Sequence, residues 1–210
     1  MKKILITAGP TREKIDPVRF ISNFSTGRLG YLLAELAKKK GFGVILITGP
    51  TSLKPPKGIK IIYIESAKEL KKEVLKYIGR VDCLIMAAAV GDYRPRKIER
   101  NKIKSKKKLL LSLVRNPDIL KQAGKKKRKN QVFVGFALET ENFLPNGLKK
   151  MTEKNLDFLV LNNPGFFGEA KERKMVKLID KKGNLINLSS LSKKQIAKKI
   201  LDEVENYLGK

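Results

Sequence analysis

Small polar residues stand ahead of a helix-like segment near the N-terminus, in the stretch VRFISNFSTGRLG at residues 18–30. Helical spacing of the apolar residues begins only after Gly27. Backbone N–H groups at the start of a helix, together with the helix dipole, bind anions such as phosphates. We therefore predict an anion cradle at Thr26, Gly27 and Arg28, where Ser25 caps the helix and Gly27 allows close approach of a phosphate. An ordinary capped helix is the alternative interpretation.

The chain contains no histidine and a single cysteine, Cys83, which lies inside an apolar run. This composition excludes Ser-His-Asp and Cys-His catalysis, the usual zinc sites and an internal disulfide. Catalysis must rely on lysine, arginine, carboxylates, amides and backbone dipoles. These groups suit a reaction that needs neutralisation of charge more than transfer of protons.

The formal net charge is +27, from 47 Lys plus Arg against 20 Asp plus Glu. Such an excess attracts polyanions, including nucleotide phosphates and nucleic acid. We interpret the two densest basic runs, at residues 104–108 and 125–129, as solvated loops. Aromatic residues are not interleaved with these runs, so no nucleic-acid partner is expected. No apolar run is long enough to span a membrane, and the short apolar N-terminus does not fit a signal peptide, so we expect a cytoplasmic protein.

Short β-branched runs alternate with helical patterns along the chain. The sequence predicts strands at Lys3–Ala8, Gly43–Thr48, Lys60–Ile64, Cys83–Ala88, Gln131–Ala137 and Phe158–Leu161. It predicts helices at Leu29–Lys40, Ala67–Ile78, Pro117–Ala123, Asn142–Lys154 and Ser192–Leu208. This alternation is typical of an α/β fold with a doubly wound, mainly parallel Rossmann-like sheet and helices on both faces. Neither an internal repeat nor a linker is evident, so we expect one domain over residues 1–210.

Two regions depart from this alternation. Residues 93–113 contain two extended stretches, at Lys97–Lys104 and Leu109–Leu113, which predict a two-stranded arm projecting from the sheet. Residues 174–188 have the pattern of a hairpin, which we place at one edge of the sheet.

In doubly wound sheets, ligands bind at the carboxyl ends of the strands. The loop that follows the first strand begins at Gly9 and leads to the cradle described above. A dinucleotide cofactor fits this loop poorly, because no GxGxxG motif follows the first strand and no acidic residue ends the second.

Several segments, in order along the chain, resemble one known family: ITAGPTREKIDPVRFISNFSTGRLG, MAAAVGDYRP, NKIK, NPDIL and VGFALETEN. The family is phosphopantothenate–cysteine ligase, also called phosphopantothenoylcysteine synthetase, of coenzyme A biosynthesis. In most bacteria this synthetase is the second half of a chain whose first half is a flavin-dependent decarboxylase, and nothing here resembles that half. The resemblance implies a ligase without flavin, either stand-alone or an excised domain, with a separate decarboxylase as a further partner.

The resemblance implies a two-step reaction of CTP, 4′-phosphopantothenate and cysteine. The substrate carboxylate attacks the α-phosphate of CTP, and the cysteine amine then displaces CMP from the acyl-cytidylate. Mg²⁺ held mainly by the triphosphate would assist, with no protein side chain assigned to the metal. The alternatives are an ATP-using form of the same ligase and a basic nucleic-acid-binding module.

The resemblance assigns catalytic roles to Asn23, Arg19 and Lys102. Asn23 would hydrogen-bond the acyl group, Arg19 would bind a carboxylate or phosphate with both arms of its guanidinium, and Lys102 would bind the triphosphate. Taken without the resemblance, Asn23 is an N-cap. The family's last lysine after Lys102 is replaced by Ser105. The resemblance also implies a homodimer, with the arm near the partner's site.

The implied nucleotide site is larger, and its members are Asp92, Lys102, Asn116, Pro117, Asp118, Ile119, Phe136, Lys150 and Lys154. The cradle for phosphate and substrate comprises Gly9, Ser25, Thr26 and Gly27. Without the resemblance, residues 116–119 are a helix start with Pro117 at the first helical position, and Phe136 is a core residue. Gly91 stands where the family usually has alanine, and the chain departs most from the family after Asn162.

Overall fold

A computed structural model describes residues 1–105, 107–138, 143–163 and 175–209 of the chain. Its strands are β1 (Lys3–Ala8), β2 (Arg12–Asp16), β3 (Arg19–Ser22), β4 (Gly43–Thr48), β5 (Lys60–Tyr63), β6 (Cys83–Met86), β7 (Tyr93–Pro95), β8 (Leu113–Arg115), β9 (Val132–Leu138), β10 (Phe158–Asn162), β11 (Val176–Asp180) and β12 (Leu185–Asn187). Its helices are α1 (Arg28–Lys39), α2 (Ala67–Tyr77), α3 (Ile119–Gly124), α4 (Phe143–Lys154) and α5 (Lys193–Leu208).

The main sheet has eight strands within the described residues, in the order β12-β11-β10-β9-β6-β1-β4-β5. Pairing is parallel from β10 to β5, and β11 and β12 are antiparallel. The strand order reverses at β1, because the chain adds β4 and β5 on one side of β1 and β6 on the other. The predicted doubly wound, mainly parallel sheet is confirmed. Its topological switch point lies between β1 and β6.

Helices cover both faces of the sheet. Residues of α1 and α5, such as Leu33 and Ile200, belong to one apolar core. Residues of α2, α3 and α4, such as Leu70 and Met151, belong to the other. Burial on both faces explains why strands such as β1 are continuously apolar. In the described parts of the chain, no helix combines the length and the apolar character needed to cross a membrane.

Each predicted strand of the sheet and each predicted helix is present, with ends that differ by a few residues at most. The predicted hairpin near the C-terminus is also present, since β11 pairs with β12 and extends the sheet from β10. Residue 174, at the start of the predicted range, lies outside the described residues.

A second hairpin was not predicted. Strands β2 and β3 pair antiparallel within the segment that the sequence suggested was a loop before α1. Asp16 closes this hairpin, because its Oδ1 accepts the N–H groups of Val18 and Arg19, each at 2.9 Å. The hairpin stands at the carboxyl end of β1.

The predicted arm is present in altered form. Its two sides pair only at the base, where β7 and β8 are antiparallel. The prediction of extended strands at Lys97–Lys104 and Leu109–Leu113 is wrong except at Leu113, which begins β8. The physical reason is that the first side bonds to the β2–β3 hairpin: Glu99 N donates to Ile15 O at 2.9 Å, and Ile103 N donates to Asp16 Oδ2 at 3.1 Å.

The basic run at residues 125–129 is only partly solvated. Lys127 Nζ lies 2.5 Å from Asp157 Oδ2, and the side chains are 8% and 4% exposed. The same carboxylate oxygen accepts the N–H of Phe133 at 2.8 Å. Lys126 is exposed, as predicted for the whole run. The interpretation of this run as a solvated loop is therefore wrong for Lys127, whose charge is neutralised inside the protein.

Candidate functional site

The loops that follow β1 and β6 meet at the switch point. Ala89 N donates to Gly9 O at 3.0 Å, and Thr11 N donates to Ala89 O at 3.1 Å. Gly91 N donates to the hydroxyl of Thr11 at 2.9 Å. Ligands of doubly wound sheets bind beyond this point, so these bonds build a rigid floor for a site.

Asn23 is fixed to this floor by its side chain. Its Nδ2 donates to Ala89 O at 3.1 Å, and the residue itself is exposed. The N-cap of α1 is Gly27, so the interpretation of Asn23 as an N-cap is wrong. A carboxamide nitrogen carries two N–H groups. One is held by Ala89, and this bond fixes the direction of the other.

The start of α1 is built from close backbone contacts. Gly27 has φ of 77° and Gly9 has φ of 74°, both in the left-handed region that favours glycine. A Cβ on Gly27 would lie 3.0 Å from Gly9 N, and a Cβ on Gly9 would lie 3.0 Å from Gly49 O. The loops after β1 and β4 and the start of α1 therefore touch through bare backbone.

Ser25 does not cap α1, contrary to the prediction. Its Oγ instead accepts the N–H of Gly27 at 3.3 Å, and Thr26 Oγ1 accepts the N–H of Arg28 at 3.5 Å. Thr51 donates its hydroxyl to Thr26 O at 3.0 Å. The backbone groups of the predicted cradle lie together. Two of its N–H groups, those of Gly27 and Arg28, already donate to hydroxyls. A phosphate would have to replace these hydroxyls as the acceptor.

The first side of the arm brings Ile103, the residue after Lys102, into contact with Arg19. Arg19 Nη1 lies 3.2 Å from Asp16 Oδ2, and Arg19 Nη2 donates to Ile103 O at 3.1 Å. Lys102 precedes Ile103 and is exposed. Burial alone would raise the pKa of Asp16, but the N–H groups of Val18 and Ile103 and the charge of Arg19 lower it.

Asp92 and Asn116 are joined across the base of the arm. Asn116 N donates to Asp92 O at 2.8 Å, and Asn116 Nδ2 donates to Gly91 O at 2.8 Å. Arg94 Nη1 donates to Asn116 Oδ1 at 3.2 Å. Beside them is a basic cleft of about 560 Å³, which is lined by Lys68, Lys71, Lys72, Leu75, Arg94, Arg115, Asn116 and Pro117.

The segment from Pro117 to Ile119 forms the start of α3. Asp118 is the N-cap and accepts the N–H of Lys121 at 2.9 Å, so Pro117 lies outside the helix and not at its first position. The side chain of Ile119 is 3% exposed and belongs to the core, so it cannot face a nucleotide. Asp118 Oδ2 lies 3.1 Å from Lys154 Nζ.

Lys150 and Lys154 share one face of α4, as the spacing predicted. Lys154 is paired with Asp118, which reduces the charge it could offer to a triphosphate. Phe136 lies near the carboxyl end of β9, where it is partly buried and packs against the core. The core interpretation of Phe136 is therefore correct in part.

The hydrogen bonds divide the predicted site residues into groups. The switch-point group comprises Gly9, Asn23, Ser25, Thr26, Gly27, Asp92 and Asn116, which the loop contacts above connect. Arg19 bonds to Ile103, the chain neighbour of Lys102, and Asp118 pairs with Lys154. The sequence interpretation missed Ala89 and Asp16. Asp16-Pro17 is a turn signal that could have revealed the hairpin.

No group of three or more Asp, Glu, Cys or His side chains is placed to hold a metal ion within the residues that the structure describes. The donors there are amides, hydroxyls, backbone N–H groups and cations. This set suits an anionic ligand.

A family profile described as "DNA/pantothenate metabolism flavoprotein C-terminal domain" matches residues 1–208. The coenzyme A biosynthesis bifunctional protein CoaBC of Borreliella burgdorferi is 43% identical over 203 residues, which cover 95% of this chain and 51% of that protein. CoaBC of Bacillus subtilis is 43% identical over 209 residues, which cover 97% and 51%. The chain thus spans about half the length of these curated relatives.

A crystal structure of the C-terminal domain of CoaBC superposes with a TM-score of 0.85 at 41% identity, and the match covers 99% of this chain and 96% of that domain. The resemblance to the synthetase half of the bifunctional protein is therefore confirmed. The chain belongs to the family of the DNA/pantothenate metabolism flavoprotein C-terminal domain.

Proposed function

We propose that this chain joins 4′-phosphopantothenate to cysteine at the expense of CTP, giving 4′-phosphopantothenoylcysteine, CMP and pyrophosphate. The observation that carries the proposal is the carboxamide of Asn23, which is fixed to Ala89 at the switch point of a chain of this family. The absence of histidine from the sequence agrees with chemistry that needs no imidazole base.

In the first step, a carboxylate oxygen of 4′-phosphopantothenate attacks the α-phosphorus of CTP. The bond from that phosphorus to pyrophosphate breaks, and an acyl-cytidylate forms. A carboxylate is already a nucleophile, so the protein must align the reactants and neutralise charge. Lys102 would face the triphosphate, and the backbone around Gly9 and Gly27 would receive an anionic group of the substrates.

In the second step, the amine of cysteine attacks the acyl carbon. The carbon–oxygen bond to CMP breaks, and the amine nitrogen loses a proton to solvent as the amide forms. The second N–H of Asn23 would donate to the acyl oxygen as negative charge develops on it. Because Ala89 already orients the carboxamide, this donor needs little reorganisation at the moment of reaction.

The nucleotide would lie against the loops of the arm base and α3. Asp92 offers a carboxylate suited to ribose hydroxyls, and Asn116 lies beside the basic cleft. Lys150 and Lys154 would approach the phosphates, and Phe136 the base. Mg²⁺ would neutralise the triphosphate when bound. It would be held mainly by phosphate oxygens and water, since Mg²⁺ typically takes only one or two protein carboxylates in such sites.

The proposal includes a homodimer and a cytoplasmic location, with no flavin on this domain. A flavin-dependent decarboxylase would use the product, either as another part of a longer chain or as a separate protein. An ATP-dependent form of the same ligase is the alternative, which nucleotide selectivity decides.

The test is pyrophosphate release with single omissions. We expect release with CTP, Mg²⁺ and 4′-phosphopantothenate together, and none when any one is left out. Addition of cysteine should then produce CMP and the amide in equal amounts. Release that is supported by ATP but not by CTP would overturn the choice of nucleotide, and no release with either would overturn the ligase.

A further inference from the structure

We propose that Asp16 is a positioning residue, which holds Lys102 at the site by clamping the adjacent peptide of the arm to the β2–β3 hairpin. This inference rests on the proposed function for the role of Lys102. The clamp itself rests only on contacts in the structure.

The clamp holds Ile103 at both of its backbone polar groups. Asp16 Oδ2 accepts its N–H at 3.1 Å, and Arg19 Nη2 donates to its C=O at 3.1 Å. Arg19 Nη1 in turn lies 3.2 Å from the same carboxylate oxygen. Three groups therefore form a closed ring of contacts around one peptide of the arm.

The carboxylate of Asp16 is suited to this role because all of its contacts are made inside the protein. The residue is 1% exposed, and its second oxygen accepts the N–H groups of Val18 and Arg19. A carboxylate that accepts several N–H bonds and faces a guanidinium is held strongly in one orientation. Asp16 therefore joins the hairpin turn, Arg19 and the arm in one rigid unit.

The clamp matters for Lys102 because, within the described residues, few other bonds hold this part of the arm. Lys102, Lys104 and Ser105 are exposed and have no regular secondary structure. The β7–β8 pairing ends at Pro95, and the bond from Glu99 N to Ile15 O lies three residues before Lys102. A displacement of about 1 Å at a reacting group can lower the rate about a hundredfold.

Arg19 thereby acquires a different role from the one predicted. Its guanidinium is occupied by Asp16 and Ile103, so a forked contact with substrate would require one of these bonds to break. We infer that Arg19 acts with Asp16 to place Lys102.

The test compares Asp16→Asn with Asp180→Asn. Asp180 is a matched control, since it also closes a hairpin turn by accepting backbone N–H groups, those of Lys182 and Asn184, but belongs to the β11–β12 hairpin. An amide at position 16 would turn an N–H toward the N–H of Ile103 or leave Val18 and Arg19 without their acceptor.

Hydrogen exchange is the first readout. We expect faster exchange at residues 97–105 in Asp16→Asn, with unchanged exchange in β1 and β4, and no change in the arm of Asp180→Asn. Unchanged exchange of Ile103 in Asp16→Asn would overturn the clamp. Arg19→Lys, at a partly exposed position, is a second variant. It keeps the positive charge but loses the two-armed guanidinium, so it should also speed hydrogen exchange of Ile103.

Kinetics are the second readout. We expect Asp16→Asn to lower kcat for pyrophosphate release by about 10- to 100-fold, with little change in KM for 4′-phosphopantothenate. The double variant with Lys102→Gln should be no slower than Lys102→Gln alone, because both changes remove the same contact. Additive losses would overturn the positioning role. An inactive wild-type protein would refute the ligase proposal instead, whatever the exchange data show.

Discussion

The carboxamide nitrogen of Asn23 lies 3.1 Å from the carbonyl oxygen of Ala89, so a side chain joins the loop between β3 and α1 to the loop after β6. The same carbonyl accepts the N–H of Thr11. Backbone bonds therefore connect the loops at the switch point, and the side chain of Asn23 adds a further connection while keeping a second N–H that can donate.

Replacement of Asn23 by aspartate should leave the protein folded and lower amide formation by at least about a hundredfold. A carboxylate cannot donate to Ala89 O, and it would repel an anionic acyl phosphate. Circular dichroism and product formation measure the two effects. Asn206→Asp, the same change at an exposed position of α5, is the control. Normal product formation by Asn23→Asp would show that Asn23 is structural only.

Two lysines that composition cannot distinguish should differ in function. Loss of a charge that faces a triphosphate should cost ~2–4 kcal/mol of transition-state stabilisation. Loss of an exposed charge among many should cost under about 1 kcal/mol. We therefore expect Lys102→Gln to abolish nearly all CTP-dependent pyrophosphate release and Lys126→Gln to leave it almost unchanged.

Equal losses in these two variants would mean that bulk charge matters and that the site assignment is wrong. A nucleic-acid-binding module would give another pattern, in which Lys126→Gln alone weakens binding and the affinity falls steeply with salt.

Substitutions of Lys127 and of its neighbour Lys126 should differ in their effect on the stability of the protein. Lys127→Gln would leave the carboxylate of Asp157 buried without its closest cation. Breaking a buried ion pair from one side costs about 3–5 kcal/mol. Urea unfolding of Lys127→Gln should show a loss in this range, and that of Lys126→Gln almost none. Equal stability of the two would mean that the Lys127–Asp157 pair contributes nothing.

Acid should loosen the clamp on the arm. The pKa of Asp16 is lowered in the folded protein. Its contribution to stability is therefore complete above the pKa of an unfolded aspartate, about 3.9, and is lost as the pH falls through the lower folded pKa. Urea unfolding of wild type and Asp16→Asn should give free energies that converge as the pH falls from 6 toward 3. A constant difference over this range would contradict the ionised state assigned to Asp16.

The apolar residues left exposed on the hairpin and the arm should mediate dimerisation. Leu110 on the arm is 94% exposed, Phe24 just after the hairpin is 87% exposed, and Val18 in the hairpin turn is 60% exposed. Large apolar side chains that are this exposed favour an interaction surface. Leu110→Asp should shift the protein toward monomer, as measured by sedimentation at micromolar concentration. Leu185→Asp, on β12, is the control. A wild-type protein that sediments as a monomer would contradict the homodimer.

Most of the fold could be predicted because its signals are local. Buried strands such as β1 are continuous apolar runs, and α5 begins with a capping box in which Ser192 and Gln195 bond to each other's backbone. The β2–β3 hairpin escaped prediction because its residues alternate in charge and lack the usual β-branched pattern. It is held by contacts from far along the chain, such as that of Glu13 Oε1 with the N–H of Ala67 at 2.9 Å.

The location of the site could be predicted from the sequence, but the contacts of its residues could not. The rule that ligands bind beyond the carboxyl ends of parallel strands places Asn23 and Asp92 correctly near the switch point. No local pattern shows that Ile119 is buried or that Lys127 finds Asp157, since each depends on packing between distant segments. The roles of the site residues, the single domain and the cytoplasmic location stay predictions.

The bare backbone contacts among Gly9, Gly27 and Gly49 limit how this region can evolve. A Cβ on Gly49 would lie 1.9 Å from Pro10 O, just as one on Gly27 or Gly9 would press on the next loop. Each obstacle is main chain, so no second substitution at a neighbour can make room. A change of side chain at a neighbouring residue therefore cannot compensate for a substitution of any of these glycines. We expect natural variants to differ here by whole loops. In a library of point variants, none of the three glycines should tolerate substitution.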